Sequence, residues 1–505
     1  MNRESVTAEE MAALEDNAEY LGVSKPQMME CAGKAVAEAV AALKKGKTCM
    51  FYLGTGRNGG DGMVAARHLA SRGFQVSAVL VGGEEKISDP SVALNWKAVK
   101  NMDLSLRLST ARDSSLVPKA EAAAAVVVDA LLGTGVRGRI QQPILQAVRA
   151  INQASAYRVA VDVPTGIDAS TGEVLGEAVR ADMTVTFHAP KTGLLKASAY
   201  AGKVVVADIG LPPEAEAYAG PGDVRRTRRT RPADAHKGDF GRLLVVGGSG
   251  TYTGAPALAG MAALQTGVDL VYVAAPRETA RVVSSYSPNL ITVKLSGDYL
   301  DPEDLKTLES YLHRATAVVL GPGLETRERT KEAVELLLKA VEGLAKPLLL
   351  DADGLKLFGA LRREARTACV LTPHGGEFEL VTGAKPHSGL RERGEQVKEA
   401  STRLKAVVLL KGNVDIISDG RRVKFNRTGN PGMTVGGTGD VLSGIVGGLM
   451  ALGVKPFEAS VAGAFVNGEA GNLTLKRKGY HILPTDLLEE VPRLMENPML
   501  LREKP

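Results

Sequence analysis

Short, continuously apolar runs recur along this chain, and each ends on glycine, aspartate or proline before a helix-length stretch follows. Up to about residue 212 they read "CMFYLG", "QVSAVLVG", "AVVVDALLG", "RVAVDVPTG", "DMTVTFHAP" and "KVVVADIGLP". Strands apolar on both faces need cover on both faces, and strands separated by helix-length segments pair in parallel. The pattern predicts a doubly wound α/β/α domain. Beyond "RRTRRTR", residues 225–231, the same alternation restarts with "GRLLVVGGSG", "VDLVYVAAP", "AVVLGPG", "KPLLLDADG", "CVLTPHGGE" and "AVVLLKGNVDIIS". The halves share this grammar but no motif, so two fused α/β domains are expected rather than an internal repeat.

Length agrees, because 505 residues exceed one ordinary core and suit two. With 44% hydrophobic and 24% charged residues the composition is globular, and a net charge of +5 over this length calls for neither nucleic acid nor an anionic membrane. The arginine run, beside "GPGD" and before Pro232, reads as a solvated linker, with a phosphate-binding patch as the alternative. The expected division is 1–222, a basic linker 223–232, and 233–505. Cys31, Cys49 and Cys369 make neither a metal spacing nor a disulfide framework. The N-terminal stretch is charged throughout, Thr7 and Glu10 have capping-box spacing, and no apolar run reaches the roughly 18 residues of a membrane span. A soluble cytoplasmic protein is expected.

In the first half, "FYLGTGRNGGDG" carries G-x-G-x-x-G at Gly54, Gly56 and Gly59 between a strand and a helix. The acidic residue that a dinucleotide-binding turn carries at the end of the next strand is missing from "QVSAVLVGG". Instead Arg57, Asn58 and Asp61 crowd the turn itself. Asp129 before "LLGTGVRGR", Asp162 before "VPTG" and Lys191 after "FHAP" close other strands, and all such ends face one crevice of an open parallel sheet. Asn58, Asp129 and Thr165 offer oxygen ligands to one hard, monovalent cation. The alternative is that Asp129 and Asp162 only cap loops.

"LGVSKPQMMECAGKAVAE", "GTGRNGGDG", "VVVDALLGTGVRG" and "AVDVPTGIDASTG" together resemble the NAD(P)H-hydrate epimerase domain, a Rossmann-like fold, over essentially the whole first half. The resemblance implies that hydrated NADH and NADPH are the substrates and that Asn58, Asp129 and Thr165 hold potassium. It implies substrate contacts from Arg57, Asn58, Gly59, Gly60 and Asp61. The loop Gly133, Thr134, Gly135, Val136, Arg137, Gly138 and Arg139 is implied as well, as is Asp162. Arg57 stands where the family often has Asn, which changes a contact to phosphate or ribose. Asp162 is the expected proton carrier, with Lys191 as its electrostatic helper.

In the second half, "NPGMTVGGTGDVLSGIVGGLMALG" sets Asp440 among glycines at a helix entrance. Either Asp440 caps the helix, or the amides of Gly436, Gly437, Thr438 and Gly439 receive phosphate oxygens while Asp440 faces a reacting hydroxyl. "GPG" at 321–323, "TPHGGE" at 372–377 and "KGNVD" at 411–415 end other strands and favour a substrate crevice. With "GSGTYTGAPALAGMAALQTGVDLVYVA" and "DADGL", these motifs resemble the ADP- or ATP-dependent NAD(P)H-hydrate dehydratases, a branch of the ribokinase-like fold. That resemblance implies hydrate contacts from Ala255, Gly323, His374 and Asp440. It implies ADP contacts from Lys411, Gly412, Asn413, Val414 and Asp415, with Gly439 on the phosphate side and ATP as the alternative nucleotide. Magnesium is expected without an assigned ligand set, and so is a homo-oligomer. The rival reading is a ribokinase-like small-molecule kinase fused to a sensing or scaffold domain.

Overall fold

The computed structural model describes residues 5–120 and 124–500. The chain forms two compact units, Met1–Pro213 and Glu214–Pro505.

In the first unit the strands are β1 (Thr48–Leu53), β2 (Gln75–Val81), β3 (Leu106–Ala111), β4 (Val126–Ala130), β5 (Tyr157–Val161), β6 (Met183–Phe187) and β7 (Lys203–Ala207). They build one sheet in the order β3-β2-β1-β4-β5-β6-β7, every pair parallel. The strand order reverses between β1 and β4, so a crevice opens beyond the ends of those two strands. Leu53 and Ala130 pair at the last register position, which sets the Gly54 turn beside the Leu131–Gly133 loop. The contact is tight: a Cβ on Gly54 would lie 1.9 Å from the Leu131 carbonyl oxygen. The expected capping box is present, Thr7 Oγ1 accepting from the Glu10 amide at 3.2 Å and Glu10 Oε2 from the Thr7 amide at 3.0 Å.

The second unit contains β8 (Arg242–Val246), β9 (Leu270–Pro276), β10 (Ile291–Leu295), β11 (Ala317–Leu320), β12 (Leu348–Leu350), β13 (Cys369–Leu371), β14 (Val407–Leu410), β15 (Asp415–Ser418) and β16 (Val423–Asn426). Their order is β10-β9-β8-β11-β12-β13-β14-β15-β16. The reversal falls between β8 and β11, where the Gly248 amide donates to the Pro322 carbonyl at 2.7 Å and joins two glycine loops. One expectation needs correction. "AVVLLKGNVDIIS" is a hairpin, and β14, β15 and β16 pair antiparallel, so the sheet is mixed. Asp415 secures the hairpin by accepting from the Gly412 amide and the Asn426 side chain, each at 3.0 Å.

The arginine run expected as a solvated linker is tied to the second unit. Arg228 and Arg229 donate to the carbonyls of Met495 and Gly453, and Arg231 pairs with Asp269 at 2.9 Å and stacks on Phe240. Just before it, Asp223 pairs with Lys424 at 2.6 Å. Among the described residues no helix is long and apolar enough to cross a membrane.

The helix Thr438–Ala451 lies against Gly254–Gln265, and a Cβ on Gly444 would sit 2.1 Å from the Ala259 carbonyl oxygen. Gly444→Ala is therefore expected to destabilise the second unit by about 3 kcal/mol. Denaturant unfolding should show its transition displaced and that of the first unit unchanged.

Candidate active sites

In the first unit the crevice is a cavity of about 510 Å³ lined by Arg57, Asn58, Asp61, Gly133, Thr134, Gly135, Val136, Arg137 and Asp162. Gly59 packs beneath it, where a Cβ would meet the Gly54 carbonyl oxygen at 1.9 Å. Gly60 is buried against Met29, and Gly138 and Arg139 continue the loop away from the cavity. Asp162 follows β5 in the left-handed region, with φ of 64°, a conformation that costs energy for a non-glycine residue. Its carboxylate accepts from Thr186 Oγ1 at 3.1 Å and pairs with the buried Lys191 ammonium at 2.6 Å. Lys191 also donates to Thr186 Oγ1 and to the Phe187 carbonyl. Among the described residues the ammonium therefore has one carboxylate partner, and its bonds to Thr186 and Phe187 fix its place.

Two acids beside this pair were legible only in part. Asp61 is raised well above the ordinary carboxylate value by burial, then by Asp162 and Glu15. Glu15, from the helix Ala8–Leu21, is also raised by burial, against the opposing pull of Arg57, whose guanidinium it meets at 2.7 Å. Nothing in the sequence around Glu15 marked it, because its role arises only when its helix reaches the mouth of the cavity.

Below the cavity, Asp129 is fully buried at the end of β4. Its oxygens accept from the Leu131 amide, the Thr165 amide and Thr165 Oγ1 at 3.2, 2.8 and 2.7 Å. Burial nevertheless raises its pKa to about 6, and it forms no ion pair among the described residues. Asn58 is buried nearby with neither Oδ1 nor Nδ2 hydrogen-bonded, and Gly133 approaches it so closely that a Cβ there would stand 3.2 Å from Oδ1. A buried carboxylate without a cationic partner, beside an unpaired amide oxygen and a hydroxyl, is a donor set that suits a weakly charged hard cation.

In the second unit the helix Thr438–Ala451 begins after Gly437, whose φ of 105° serves the turn, so Asp440 stands inside the first turn and is not the cap. Asp440 is half-buried, and its pKa rises to about 7 through burial first and then the Asp351 and Asp353 carboxylates, against the opposing effect of Lys411. The Lys411 ammonium stands 3.5 Å from where a Cβ on Gly439 would lie, at the open amides of the helix entrance. It pairs with Asp351 Oδ1 at 2.9 Å and lies 3.9 Å from Glu377 Oε2. Ala255 and Gly323 adjoin, with 3.5 Å between Ala255 Cβ and a Cβ built on Gly323. The Glu325 amide ties that loop to Asp353 at 2.9 Å.

His374 caps the helix Gly375–Thr382 through Nδ1, which accepts from the Gly376 amide at 3.0 Å, while its Nε2 lies 3.4 Å from Glu377 Oε1. Of the expected nucleotide residues, Lys411 faces the glycine entrance, Gly412 and Asp415 bond each other, and Asn413 Oδ1 accepts from the Val414 amide. Asp351, Asp353 and Ser443 join the site from motifs that were visible as strings but gave no sign of which member turned inward.

A family model described as NAD(P)H-hydrate dehydratase matches residues 243–493, and one described as the YjeF-related protein N-terminus matches 25–193. Over 98% of its length the chain is 43% identical to the bifunctional NAD(P)H-hydrate repair enzyme of Hyperthermus butylicus, covering 93% of that protein. The chain belongs to the family of bifunctional NAD(P)H-hydrate repair enzymes. Its similarity to the family member of Pyrobaculum aerophilum is 45% identity over 97% of this chain and 98% of that protein. A ribokinase-like superfamily protein of Enterococcus faecalis superposes on 55% of the chain and 95% of its own with a TM-score of 0.50 at 25% identity. In this repair enzyme the two doubly wound units thus carry the YjeF-related half and the dehydratase half in that order.

A carboxylate held protonated by burial resists folding at higher pH. The folded state keeps a proton on Asp440 up to about pH 7, whereas the unfolded chain releases it near its ordinary value. Stability from this group therefore falls as pH rises from about 4 to about 7. Asp440→Asn removes that loss. The variant's advantage over the parent should grow between pH 4 and pH 8, on the order of 1 kcal/mol after discounting for partial exposure, as measured by urea unfolding at both pH values.

Proposed function

We propose that the first unit interconverts the R and S epimers of hydrated NADH and NADPH and that the second dehydrates the S form at the expense of ADP, giving the reduced dinucleotide, AMP and phosphate. The observation that carries the reading is Asp440, an acid poised near neutrality in the first turn of a glycine-entered helix, with the Lys411 ammonium beside it.

For dehydration, Asp440 removes the proton of the hydrate's hydroxyl as that oxygen attacks the terminal phosphorus of ADP, and AMP departs. The new phosphate ester then leaves with the carbon–oxygen electrons, while the neighbouring ring carbon gives up a proton and the double bond returns. Phosphate is the better leaving group, which is why a kinase-like fold suits a dehydration. Lys411 and the amides of Gly436, Gly437, Thr438 and Gly439 stabilise the transferring charge with fixed dipoles and one cation. Among the described residues no group of three or more His, Cys, Asp or Glu side chains could hold a metal ion. Magnesium is therefore read as arriving with the nucleotide's phosphates. ATP would offer the same terminal phosphoryl group.

For epimerisation, the carbon beside the ring nitrogen must release and re-form its hydroxyl-bearing centre. Asp162 moves the required proton, and Lys191 keeps its carboxylate in place at the cavity wall. Potassium, held by Asn58, Asp129 and Thr165, would supply the positive charge that Asp129 lacks and stiffen the Gly133 loop. A reducing, cytoplasmic setting suits three cysteines that are all free, one of them, Cys31, exposed.

Asp440→Asn keeps the shape of the turn and removes the base. Turnover of the S hydrate with ADP, followed by recovery of reduced-nicotinamide absorbance, should fall about 100-fold or more, while epimer interconversion persists. Near-parental dehydration by the folded variant, or release of a stable phosphorylated hydrate by the parent, would refute the reading.

Potassium should raise the melting temperature of the first unit where lithium at equal ionic strength does not, and Asp129→Ala should abolish the difference. Equal responses to both cations in the parent protein would remove the potassium assignment.

A further inference from the structure

Asp351 closes β12 and is almost completely buried, yet both of its carboxylate oxygens are engaged by groups of the second crevice. Oδ1 accepts from the Lys411 ammonium at 2.9 Å and Oδ2 from Ser443 Oγ at 2.5 Å. Ser443 lies about one turn beyond Asp440 on the same helix, and Lys411 reaches from the end of β14 to the first turn of that helix beside Gly439. One carboxylate therefore ties three separate elements together at the point where phosphate and hydroxyl must meet.

We propose that Asp351 is the positioning residue of the dehydration site, holding Lys411 and the Asp440 helix in register for phosphoryl transfer. The proposal rests on Asp440 acting as the base. Burial alone would raise the pKa of Asp351, but Lys411 and then Ser443 outweigh it, and the group lies below the ordinary carboxylate value. Burial likewise works to lower Lys411, and the carboxylates of Asp351 and Glu377 reverse the sign. Asp351 and Lys411 thus remain a charged pair. Among the described residues Asp351, Lys411 and Asp353 are the charged groups that shift Asp440. The pair has a consequence for catalysis: the Asp351 charge favours a protonated Asp440 and the Lys411 charge opposes it, so the balance between them sets the pH at which the base becomes available. Asp351 does this through Lys411 and Ser443, whose side chains occupy both of its carboxylate oxygens.

The test measures kcat and KM for ADP against pH, on the full chain, for the parent, Asp351→Asn, Lys411→Met and Ser443→Ala. Asp351→Asn removes a negative neighbour and leaves the Lys411 charge unshared, so the acidic limb of the profile should move down by about one pH unit. Plateau kcat should fall about tenfold or more, and KM for ADP should rise as Lys411 loses its anchor. Lys411→Met should move the same limb upward. Ser443→Ala keeps both charges, so it should lower kcat without displacing the limb. Opposite displacements for the two charge variants support the proposal, because a merely structural contact would move neither. Unmoved limbs, or displacement in one common direction, overturn it. If Asp351→Asn loses the melting transition of the second unit, Lys411→Met decides alone, and an unmoved limb there overturns the proposal. Failure of the underlying reading is separate, since it appears as dehydration surviving Asp440→Asn.

Discussion

Parallel pairing is the constraint from which the sites of both units follow. A strand that pairs in parallel with its neighbour must return through a crossover, so every strand in such a sheet points its C-terminal end to the same edge. Where the strand order reverses, the crossovers diverge to opposite faces and leave a crevice between them. In the first unit this happens between β1 and β4, and in the second between β8 and β11. The glycine turns after β1, β8 and β11 lie at these points because only a small residue lets two loops approach as closely as Gly54 approaches Leu131. The antiparallel extension β14–β16 does not disturb this geometry, since Lys411 leaves β14 at the same edge before the chain turns back.

At these edges both units bury charge, and they manage its cost in different ways. Asp162 and Lys191 form a close pair supported by Thr186, while Asp351 and Lys411 do the same with Ser443. In each case removing one partner would strand a buried charge, which is more costly than the pair is stabilising. Asp129, Asp61 and Asp440 are treated otherwise. Burial works against their ionisation and raises each above its ordinary value, so each binds a proton more readily than an exposed carboxylate does. Charged pairs that hold position thus stand beside acids whose protonation can change, a division that suits proton transfer without loss of shape.

Much of the fold could be read from the amino-acid order. The continuous apolar runs that became β1, β2, β4 and β5 announced buried parallel strands, and the Thr7–Glu10 spacing announced a helix start that the structure contains. Of the four edge strands, β7 was visible as "KVVVADIGLP", whereas β3, β10 and β16 escaped notice because "LRLSTA", "ITVKL" and "VKFN" mix polar with apolar residues. The hairpin in "AVVLLKGNVDIIS" was hidden because both of its arms are apolar and the turn residues look like a binding loop. Asp440 could be placed at a helix entrance from the glycines around it, but whether it served as the cap depended on where the helical hydrogen bonds began.

By itself the sequence determined the two-domain α/β plan, the glycine loops at the strand ends and the identity of the acids gathered there. These are local or periodic properties: a side-chain period, a turn that only glycine permits, a carboxylate next to a strand end. Tertiary structure alone decided which acids share a neighbour. Glu15 lies in a helix remote in sequence from Asp61, and Asp351, Lys411 and Ser443 come from three separate elements. Proton affinities depend on burial and on charges a few ångströms away, and those distances exist only once the crossovers have brought the strand ends together.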